Sequence, residues 1–389
     1  MIDIKNGRIV TPDQIIEDKI LLIDGDRIAG FADAANGAER IVNAHERYII
    51  PGIIDVHSDK IEQYIQPRPT SQMDFEFALK ICERDLLSAG ITTMYHSISL
   101  FQDEIFGKSP LRTKENVQKI ADLINNIHSR NHLIHHRFHL RIEIDNLEAF
   151  GIVRDMIHQG KVHQISFMDH TPGQGQYSNL EVYHDTISKY NGKELERIGF
   201  EGILEQHKNK QVLSFEQLKE LAELAHDNGI PVASHDDDTD GKLAVNKEIG
   251  VDISEFPITL ETAKSAKKQG FYTVIGAPNI LRGCSHSGNL SAAEAILEDC
   301  ADIICSDYYP SAILSGIFYM HGKFGVPLSK MVNMETLNPA RAMRTDKDYG
   351  SIETGKKADL IVVDLLDGYP VITHVFVDGN QTSRIEYRR

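Results

Sequence analysis

The 389-residue sequence predicts an α/β protein: a (β/α)8 TIM-type barrel with a small β-sandwich domain formed from both chain termini. Helix-like and strand-like stretches alternate through the middle of the chain, which indicates parallel strands with helical crossovers. Several of these strand-like stretches end in histidine or aspartate. Short strands with tight turns occupy both ends of the chain. We therefore predict a sandwich from residues 1–51 plus 340–389, and a barrel over 52–339.

The terminal β-rich stretches are marked by their turns. Asn6-Gly7 and Asp24-Gly25 are strong hairpin signals. Near the other end, residues 358–363 are β-rich, and 375–377 precede Asp378-Gly379. We expect strands from the two ends to pair in one small sheet domain.

The middle of the chain contains repeated helix-then-strand units. One helix begins at Ser214, where Gln217 completes a capping box, and it stops at Asn228-Gly229. A barrel of such units places its active site at the carboxyl ends of its strands. The alternative, a doubly wound open sheet, would be expected to carry a Gly-rich phosphate loop after an early strand, and we find none. The eight candidate strands lie near 53–59, 91–96, 138–144, 164–170, 231–236, 252–256, 272–277 and 302–307.

Composition and charge exclude several classes of function. A formal net charge of −16 argues against a nucleic-acid surface. No apolar stretch approaches the roughly 20 residues of a membrane span, and the amino terminus does not resemble a signal peptide. The four cysteines have no metal-binding spacing, so we expect a cytoplasmic protein.

His57 and Asp59 are the most informative residues in the sequence. The two-residue repeat of a strand places them on the same face as Ile53 and Asp55. An imidazole and a carboxylate aimed the same way at the carboxyl end of a buried strand form a metal-ligand pattern. A core histidine beside a turn aspartate is the alternative, but the same polar ending recurs on later strands.

The third candidate strand alternates between apolar and polar residues. His139, Arg141 and Glu143 are expected to face the barrel axis, which would place Glu143 to bridge two metals. Taken alone, the same alternation also suits a half-exposed edge strand.

Later strands end in further potential ligands, namely Asp169-His170, His235 and Ser306-Asp307. In the acidic run after His235 we expect only the histidine to bind metal, with Asp236 or Asp237 supporting it. Imidazoles and carboxylates suit Zn²⁺, Mn²⁺ or Fe²⁺, so the identity of the metal stays open.

The segment after the seventh strand combines small residues with hydrogen-bond donors. Arg282, Ser285, His286 and Ser287 suit a phosphate or a carboxylate. The longest insertion, residues 171–213, is expected to be a lid or a specificity element.

These segments resemble the amidohydrolase superfamily. The resemblance rests on Pro51-Gly52-x-x-Asp55-x-His57 and on Gly355 to Leu360. Within the superfamily, His57-Ser58-Asp59, Met168 to Gln174 and Ser306 to Pro310 resemble a diphosphatase branch of the bacterial carbon–phosphorus lyase pathway. That branch hydrolyses an α-D-ribose 1-methylphosphonate 5-triphosphate to pyrophosphate and the 5-phosphate. The resemblance covers essentially the whole chain.

The resemblance implies one or two divalent metal ions and a role for each polar strand end. His57 and Asp59 would hold one metal, and Glu143 would bridge to a second, held by His170 and His235. Asp307 would orient the attacking water, accept its proton and pass it on. The phosphoryl charge would be neutralised by Arg141, Arg282 and His286, with Ser285 and Ser287 in the same phosphate-binding segment. The supporting residues would be Asp169, Asp236, Asp237 and Glu255.

The sequence departs from the family pattern at several positions. His57-x-Asp59 replaces the His-x-His common in the superfamily, and Glu255 stands near the place of its usual sixth-strand histidine. Lys60, Asp238 and Cys284 replace residues expected to be an amide, a small residue and a glycine.

Two alternative functions stay open. One is hydrolysis of a C–N bond in a cyclic amide or an N-acyl substrate, and the other is a non-enzymatic scaffold. The expected partner is a small phosphorylated sugar, with no nucleic acid and no membrane. A homo-oligomer and partner proteins of the same pathway are compatible with the resemblance.

Overall fold

The structure is a computed structural model that describes residues 1–388 apart from 36, 101–109, 178–179, 209 and 284–288. The chain forms two compact units. The first consists of Met1–Tyr95, Ile127–His136 and Ile303–Arg389. The second consists of His96–Asn126 and Arg137–Asp302.

The regular elements follow the order that the sequence predicts, with strands at both ends and alternating strands and helices between them. The amino-terminal strands are β1 (Ile2–Lys5), β2 (Arg8–Val10), β3 (Ile15–Ile16), β4 (Ile20–Asp24), β5 (Arg27–Ala32), β6 (Arg40–Asn43) and β7 (Tyr48–Pro51). The middle of the chain then forms β8 (Ile53–Ser58), α1 (Lys60–Ile65), α2 (Phe75–Ser88), β9 (Ile91–Leu100), α3 (Lys114–Asn126), β10 (His135–Glu143), α4 (Ala149–His158), β11 (Gln164–Met168), α5 (Leu180–Lys208), α6 (Phe215–Asp227), β12 (Val232–His235), α7 (Asp240–Ile249), β13 (Ile253–Glu255), α8 (Leu260–Lys268), β14 (Tyr272–Gly276), α9 (Ala277–Arg282), α10 (Ala292–Leu297) and β15 (Ile303–Cys305). The carboxyl-terminal elements are α11 (Ala312–Phe324), α12 (Leu328–Glu335), α13 (Leu337–Ala342), β16 (Leu360–Leu366), β17 (Tyr369–Val377) and β18 (Asn380–Arg384).

The terminal strands form two sheets within the first unit. Their strand orders are β5-β4-β1-β6 and β18-β17-β16-β7-β2-β3. β16 pairs antiparallel with β7, with Val362 opposite Ile49, so both ends of the chain share one sheet as predicted. Ile4 and Ile28 from the first sheet and Phe376 from the second lie in one buried cluster. This shared core is that of a small β-sandwich. The domain boundaries at 51/52 and 339/340 stay predictions.

The eight predicted strands form one sheet in the order β15-β14-β13-β12-β11-β10-β9-β8. Neighbouring strands from β10 to β14 pair in parallel. A parallel bridge between Ser58 and Asp307 joins the two ends of this order, which nearly closes a barrel. The predicted (β/α)8 barrel is therefore confirmed, and the open doubly wound sheet is excluded.

The packing at the start of β8 explains why glycine follows Pro51 in the sequence Pro51-Gly52-x-x-Asp55-x-His57. A Cβ atom on Gly52 would lie 2.1 Å from Oγ1 of Thr92, so this close approach of the β8 and β9 segments requires glycine. β8 itself is buried along its whole length. The sequence of a strand that is covered on both faces is nearly continuously apolar, as it is at residues 53–56.

The predicted alternation along β10 positions polar side chains on the inner face of the sheet. Phe138, Leu140 and Ile142 have no solvent exposure. Between them, the His139 ring lies 3.0 Å from Oγ of Ser97 and 2.9 Å from Oγ of Ser166. These serines belong to β9 and β11, so His139 spans both neighbouring strands.

The insertion over 171–213 contains the long helical element α5. Oη of Tyr183 lies 2.8 Å from Nε2 of His207, although 24 residues of straight helix would extend about 36 Å. The element therefore turns back on itself, and Gly199, with φ of +74°, lies within it. In the part of the chain that the structure describes, no helix is both long enough and apolar enough to cross a membrane.

Candidate metal-dependent active site

In the described part of the barrel, three strands are followed by a non-glycine residue in the left-handed backbone region. Asp236 follows β12 with φ of 54°, Phe256 follows β13 with φ of 55°, and Asp307 lies just after β15 with φ of 57°. Such conformations are uncommon for residues with a Cβ and tend to cluster at functional sites. The two aspartates are among the residues predicted for the site.

In the first unit, the end of β8 contacts the segment after β15. The backbone N–H of Asp307 donates to the carbonyl of His57 at 3.0 Å, and the N–H of Asp59 donates to the carbonyl of Asp307 at 3.2 Å. His57 is buried, with 2% exposure, whereas Asp59 is half-buried. These bonds hold the backbones of the two predicted ligands and of the predicted acid–base residue side by side.

Below His57, Asp55 supports this end of the barrel. Its Oδ1 accepts from the backbone N–H of Ser306 at 3.0 Å and lies 3.4 Å from that of His57. Burial raises the pKa of Asp55 to about 6, although hydrogen bonds from Ser306 and His57 favour its charged form. Glu335 has no exposure. Burial, followed by the negative charge of Asp55, raises the pKa of Glu335 well above its ordinary value.

In the second unit, the buried carboxylate of Glu143 pairs with the partly exposed imidazole of His170. Nδ1 of His170 lies 2.8 Å from Oε2 of Glu143, and Oγ of Ser99 donates to Oε1 of the same carboxylate at 3.0 Å. Burial opposes ionisation of Glu143, but the charge and hydrogen bond of His170 outweigh it and lower the pKa of Glu143. Burial likewise opposes the charged form of His170, but Glu143 raises the pKa of His170 above its ordinary value.

His235 and Asp236 form a second imidazole–carboxylate pair. Nδ1 of His235 lies 2.7 Å from Oδ2 of Asp236. Burial disfavours the charged form of Asp236, but the charge of His235 and its hydrogen bond outweigh this effect and lower the pKa of Asp236. The field of His170 acts on Asp236 in the same direction.

Asp237 lies beneath this pair and is not exposed. Its Oδ2 accepts from Oγ of Ser234 and from Oγ of Ser254, each at 2.6 Å, and its Oδ1 accepts from Nδ2 of Asn246 at 2.8 Å. Burial raises the pKa of Asp237. The three bonds tie the ends of β12 and β13 to α7, which fixes the backbone that carries His235.

Glu255 and His139 form a third buried group, with donor atoms within 4.8 Å of each other. Oε1 of Glu255 accepts from Nε2 of Gln164 at 3.0 Å. Burial raises the pKa of Glu255, and the charges of His139 and His235 oppose that rise. Glu255 is a predicted supporting residue, whereas His139 was predicted only to face the barrel axis.

Of the predicted phosphate-binding residues, the structure describes only Arg141 and Arg282. Arg141 is half-buried on β10, and its charge helps to lower the pKa of Glu143. Arg282 is exposed at the end of α9. Ser285, His286 and Ser287 lie outside the described residues. Oδ1 of Asp169 accepts from the backbone N–H of Thr171 at 3.1 Å and stabilises the turn after β11.

The donor chemistry of these residues fits a divalent metal. Each group combines imidazole nitrogens with carboxylate oxygens, which are the ligands that Zn²⁺, Mn²⁺ and Fe²⁺ accept. His57, Glu143, His235 and Glu255 are each at least 92% buried, so water does not compensate their charges well. Carboxylates at such depth favour a bound cation. Buried imidazole–carboxylate groups that can hold a metal are therefore present.

Several residues that organise the site were not identified from the sequence. Ser97, Ser99 and Ser166 bond to His139 or to Glu143, and Asn246 bonds to Asp237. A serine within a β-strand has no distinctive spacing, so only the two-residue alternation of β9 and β11 would have indicated that these hydroxyls share a face.

Comparisons with known proteins agree with this geometry. Residues 48–384 match the amidohydrolase family. The chain is 30% identical to the alpha-D-ribose 1-methylphosphonate 5-triphosphate diphosphatase of Escherichia coli (strain K12), over 97% of this chain and 99% of the relative. The L-hydantoinase of Arthrobacter aurescens has a similar fold, with a TM-score of 0.66 and 14% identity over 98% of this chain and 95% of that chain.

A beta-aspartyl dipeptidase from Fervidobacterium islandicum AW-1 also has this fold, with a TM-score of 0.64 and 16% identity over 100% of this chain and 99% of that chain. At these identities, the two structural likenesses show the fold alone. The family match, in contrast, extends from the last strand before the barrel to the last strand of the terminal sheet. The chain belongs to the amidohydrolase family and is a hydrolase of that superfamily.

Proposed function

We propose that the protein is a metal-dependent diphosphatase that cleaves the triphosphate of a ribose 1-(alkyl)phosphonate 5-triphosphate. The products would be pyrophosphate and the 5-phosphate, in phosphonate catabolism. The observation that carries this proposal is the near full-length match to a relative whose name states that activity. The buried histidines and carboxylates at the strand ends support the metal dependence.

We assign the metal-binding role to His57, Asp59, Glu143, His170 and His235. Glu143 is held from both sides, by Ser99 and by His170, so its carboxylate cannot rotate freely. A divalent ion would supply an acidified water and positive charge against the phosphoryl oxygens. Glu255 and His139 are the further donors in the second unit that such an ion can use.

Asp307 is our candidate for proton transfer. Its backbone N–H donates to the carbonyl of His57, and its carbonyl accepts from the N–H of Asp59. These two bonds fix the position of the Asp307 backbone, from which the carboxylate extends. From that position it would orient the attacking water, accept its proton and return a proton to the leaving group. The left-handed backbone of Asp307 is a further indication that its placement is under functional constraint.

Arg141 and Arg282 are our candidates for phosphoryl contacts. A protein with net charge −16 must bind a polyanion through local positive groups, and guanidinium groups pair well with phosphate oxygens. Arg282 is exposed and therefore accessible to a ligand from solvent. We include Ser285, His286 and Ser287 in this role from the sequence alone.

The proposal is tested by steady-state kinetics on a substrate panel. Protein stripped of metal and reloaded with Zn²⁺, Mn²⁺ or Fe²⁺ is assayed with ribose 1-methylphosphonate 5-triphosphate, ATP, a hydantoin and an N-acyl amino acid. We expect kcat/KM to be highest for the ribose triphosphate, by at least about tenfold over ATP, and to depend on the metal. Higher activity on the hydantoin or the N-acyl substrate would contradict the proposal and favour C–N hydrolysis. A metal-loaded protein with no turnover on the panel would favour a non-enzymatic role.

A further inference from the structure

A separate group of potential metal ligands, two of them buried and one half-buried, lies in the first unit. It consists of His135, Asp359 and Asp378, whose donor atoms lie within 4.8 Å of one another. His135 begins β10, Asp359 immediately precedes β16, and Asp378 occupies the turn between β17 and β18. His135 is 7% exposed and Asp359 is 6% exposed, so an imidazole and a carboxylate are almost fully withdrawn from water.

This group is distinct from the end of β8 that carries His57. The backbone N–H of Gly52, the residue before β8, donates to the carbonyl of Asp359 at 2.8 Å. His57 lies five residues further along that strand, which is roughly 16 Å at the rise of an extended chain. The group therefore lies near the amino end of β8, whereas the candidate active site lies at carboxyl ends.

The geometry of the group differs from that of an ordinary ion pair. Nε2 of His135 lies 3.1 Å from Oδ2 of Asp359 and 3.8 Å from Oδ2 of Asp378. Despite the 3.1 Å separation, neither Nε2 of His135 nor Oδ2 of Asp359 has a hydrogen-bond partner among the described residues. A buried polar atom without a partner costs about 1–3 kcal/mol, so a ligand that binds both atoms would stabilise the fold.

A metal ion fits between these atoms. Zinc binds imidazole nitrogen at about 2.0–2.1 Å and carboxylate oxygen at about 2.0–2.2 Å. With those bond lengths, the observed 3.1 Å separation corresponds to a nitrogen–metal–oxygen angle of about 97°, and the 3.8 Å separation to about 130°. Both angles suit a four- or five-coordinate ion whose remaining ligands are water.

The surroundings orient the two carboxylates towards the imidazole. Oδ1 of Asp359 accepts from the backbone N–H of Asp378 at 2.8 Å, which leaves Oδ2 facing His135. Nζ of Lys357 lies 3.0 Å from Oδ1 of Asp378. The other oxygen of that carboxylate, Oδ2, lies 3.8 Å from Nε2 of His135. Supporting contacts of this kind fix the ligands of metal sites in proteins.

We propose that His135, Asp359 and Asp378 form a structural site for a divalent transition-metal ion of the Zn²⁺ type. The ion would join the start of β10 to the start of β16 and to the β17–β18 turn, three segments that are far apart in sequence. It would take no part in hydrolysis.

The test compares metal content and thermal stability in full-length proteins. Wild type, Asp378→Asn, His135→Gln and Asp367→Asn are stripped with a chelator, dialysed against buffered Zn²⁺ and analysed by mass spectrometry for zinc per chain. Asp367→Asn is the matched control, because Asp367 and Asp378 both precede glycine in hairpin turns and have φ of 52° and 47°. Asparagine tolerates this backbone conformation, so Asp378→Asn is expected to fold.

We expect wild type and Asp367→Asn to hold one more equivalent of zinc than Asp378→Asn and His135→Gln. The added Zn²⁺ should also raise the melting temperature of the first two proteins more than that of the other two. Equal zinc content and equal zinc-dependent shifts of the melting temperature in Asp378→Asn and Asp367→Asn would overturn the proposal. The group would then be an ion pair between His135 and Asp359 with no bound metal. His135→Gln that keeps the ion would overturn it as well. Neither readout depends on catalytic activity.

Discussion

The buried carboxylate of Asp237 allows a quantitative test of how the second unit holds its strand ends. The perturbation is Asp237→Ala, which removes one acceptor for two serine hydroxyls and another for the Asn246 amide. Hydrogen bonds to a charged group contribute about 1.5–3 kcal/mol each. The three are not additive, and removal of a buried charge offsets part of the loss. We therefore expect the substitution to cost about 3–5 kcal/mol of unfolding free energy.

The isosteric variant Asp237→Asn separates the hydrogen bonds from the charge. Its carbonyl oxygen can still accept from Ser234 and Ser254, but its amide would face the amide of Asn246. Reorientation of the Asn246 side chain can relieve that conflict. We expect a smaller cost of about 1–2 kcal/mol.

The assay is urea unfolding followed by circular dichroism, because the sequence contains no tryptophan for fluorescence. Asp227→Ala, at an exposed position near the end of α6, serves as the control and should change stability by less than about 0.5 kcal/mol. A cost below about 1 kcal/mol for Asp237→Ala would show that the three bonds do not hold β12, β13 and α7 together. A larger cost for the asparagine variant than for the alanine variant would contradict this role of the hydrogen bonds as well.

Three further substitutions test the site. Asp307→Asn should lower kcat by about 10²–10⁴-fold with unchanged metal content, and wild-type turnover would remove its assigned role in proton transfer. Glu143→Gln, which keeps the side-chain size but not the charge, should weaken metal binding by at least about tenfold in a chelator competition, and unchanged affinity would exclude it as a ligand. Glu335→Gln addresses pH: because the pKa of Glu335 is raised in the folded state, wild type loses stability as the pH rises above about 4.5, the ordinary value. The melting temperature of Glu335→Gln should therefore exceed that of wild type by an amount that grows between pH 4.5 and pH 8, and a constant difference would contradict the burial of a protonated carboxyl.

The eight barrel strands were predictable from the sequence because they are short apolar or alternating runs between helical segments, and several of them end in histidine or aspartate. All eight observed strands overlap the predicted ranges, and the Ser214–Gln217 capping box is present at the start of α6. The pairing of the two chain ends was also predictable, because both ends carry β-rich stretches with Asn-Gly or Asp-Gly turns. In each case the signal is local and depends on periodicity or turn chemistry.

The partners of the site residues were not predictable from the same signals. Alternation along β10 shows which face His139 occupies, but it does not show that Ser97 and Ser166 lie beside it. That depends on the register between strands, which is set by how the whole barrel closes. The reversal within α5 was missed for a similar reason, because the contact between Tyr183 and His207 joins residues 24 positions apart.

The proposed diphosphatase activity is tested most directly by phosphorus NMR of the metal-loaded protein with ribose 1-methylphosphonate 5-triphosphate. We predict that the triphosphate signals disappear while pyrophosphate and a 5-phosphate appear in equal amounts, with the phosphonate signal retained. Release of inorganic phosphate with a 5-diphosphate would contradict the proposed bond cleavage. An unchanged spectrum from a fully metallated protein would contradict the diphosphatase function itself.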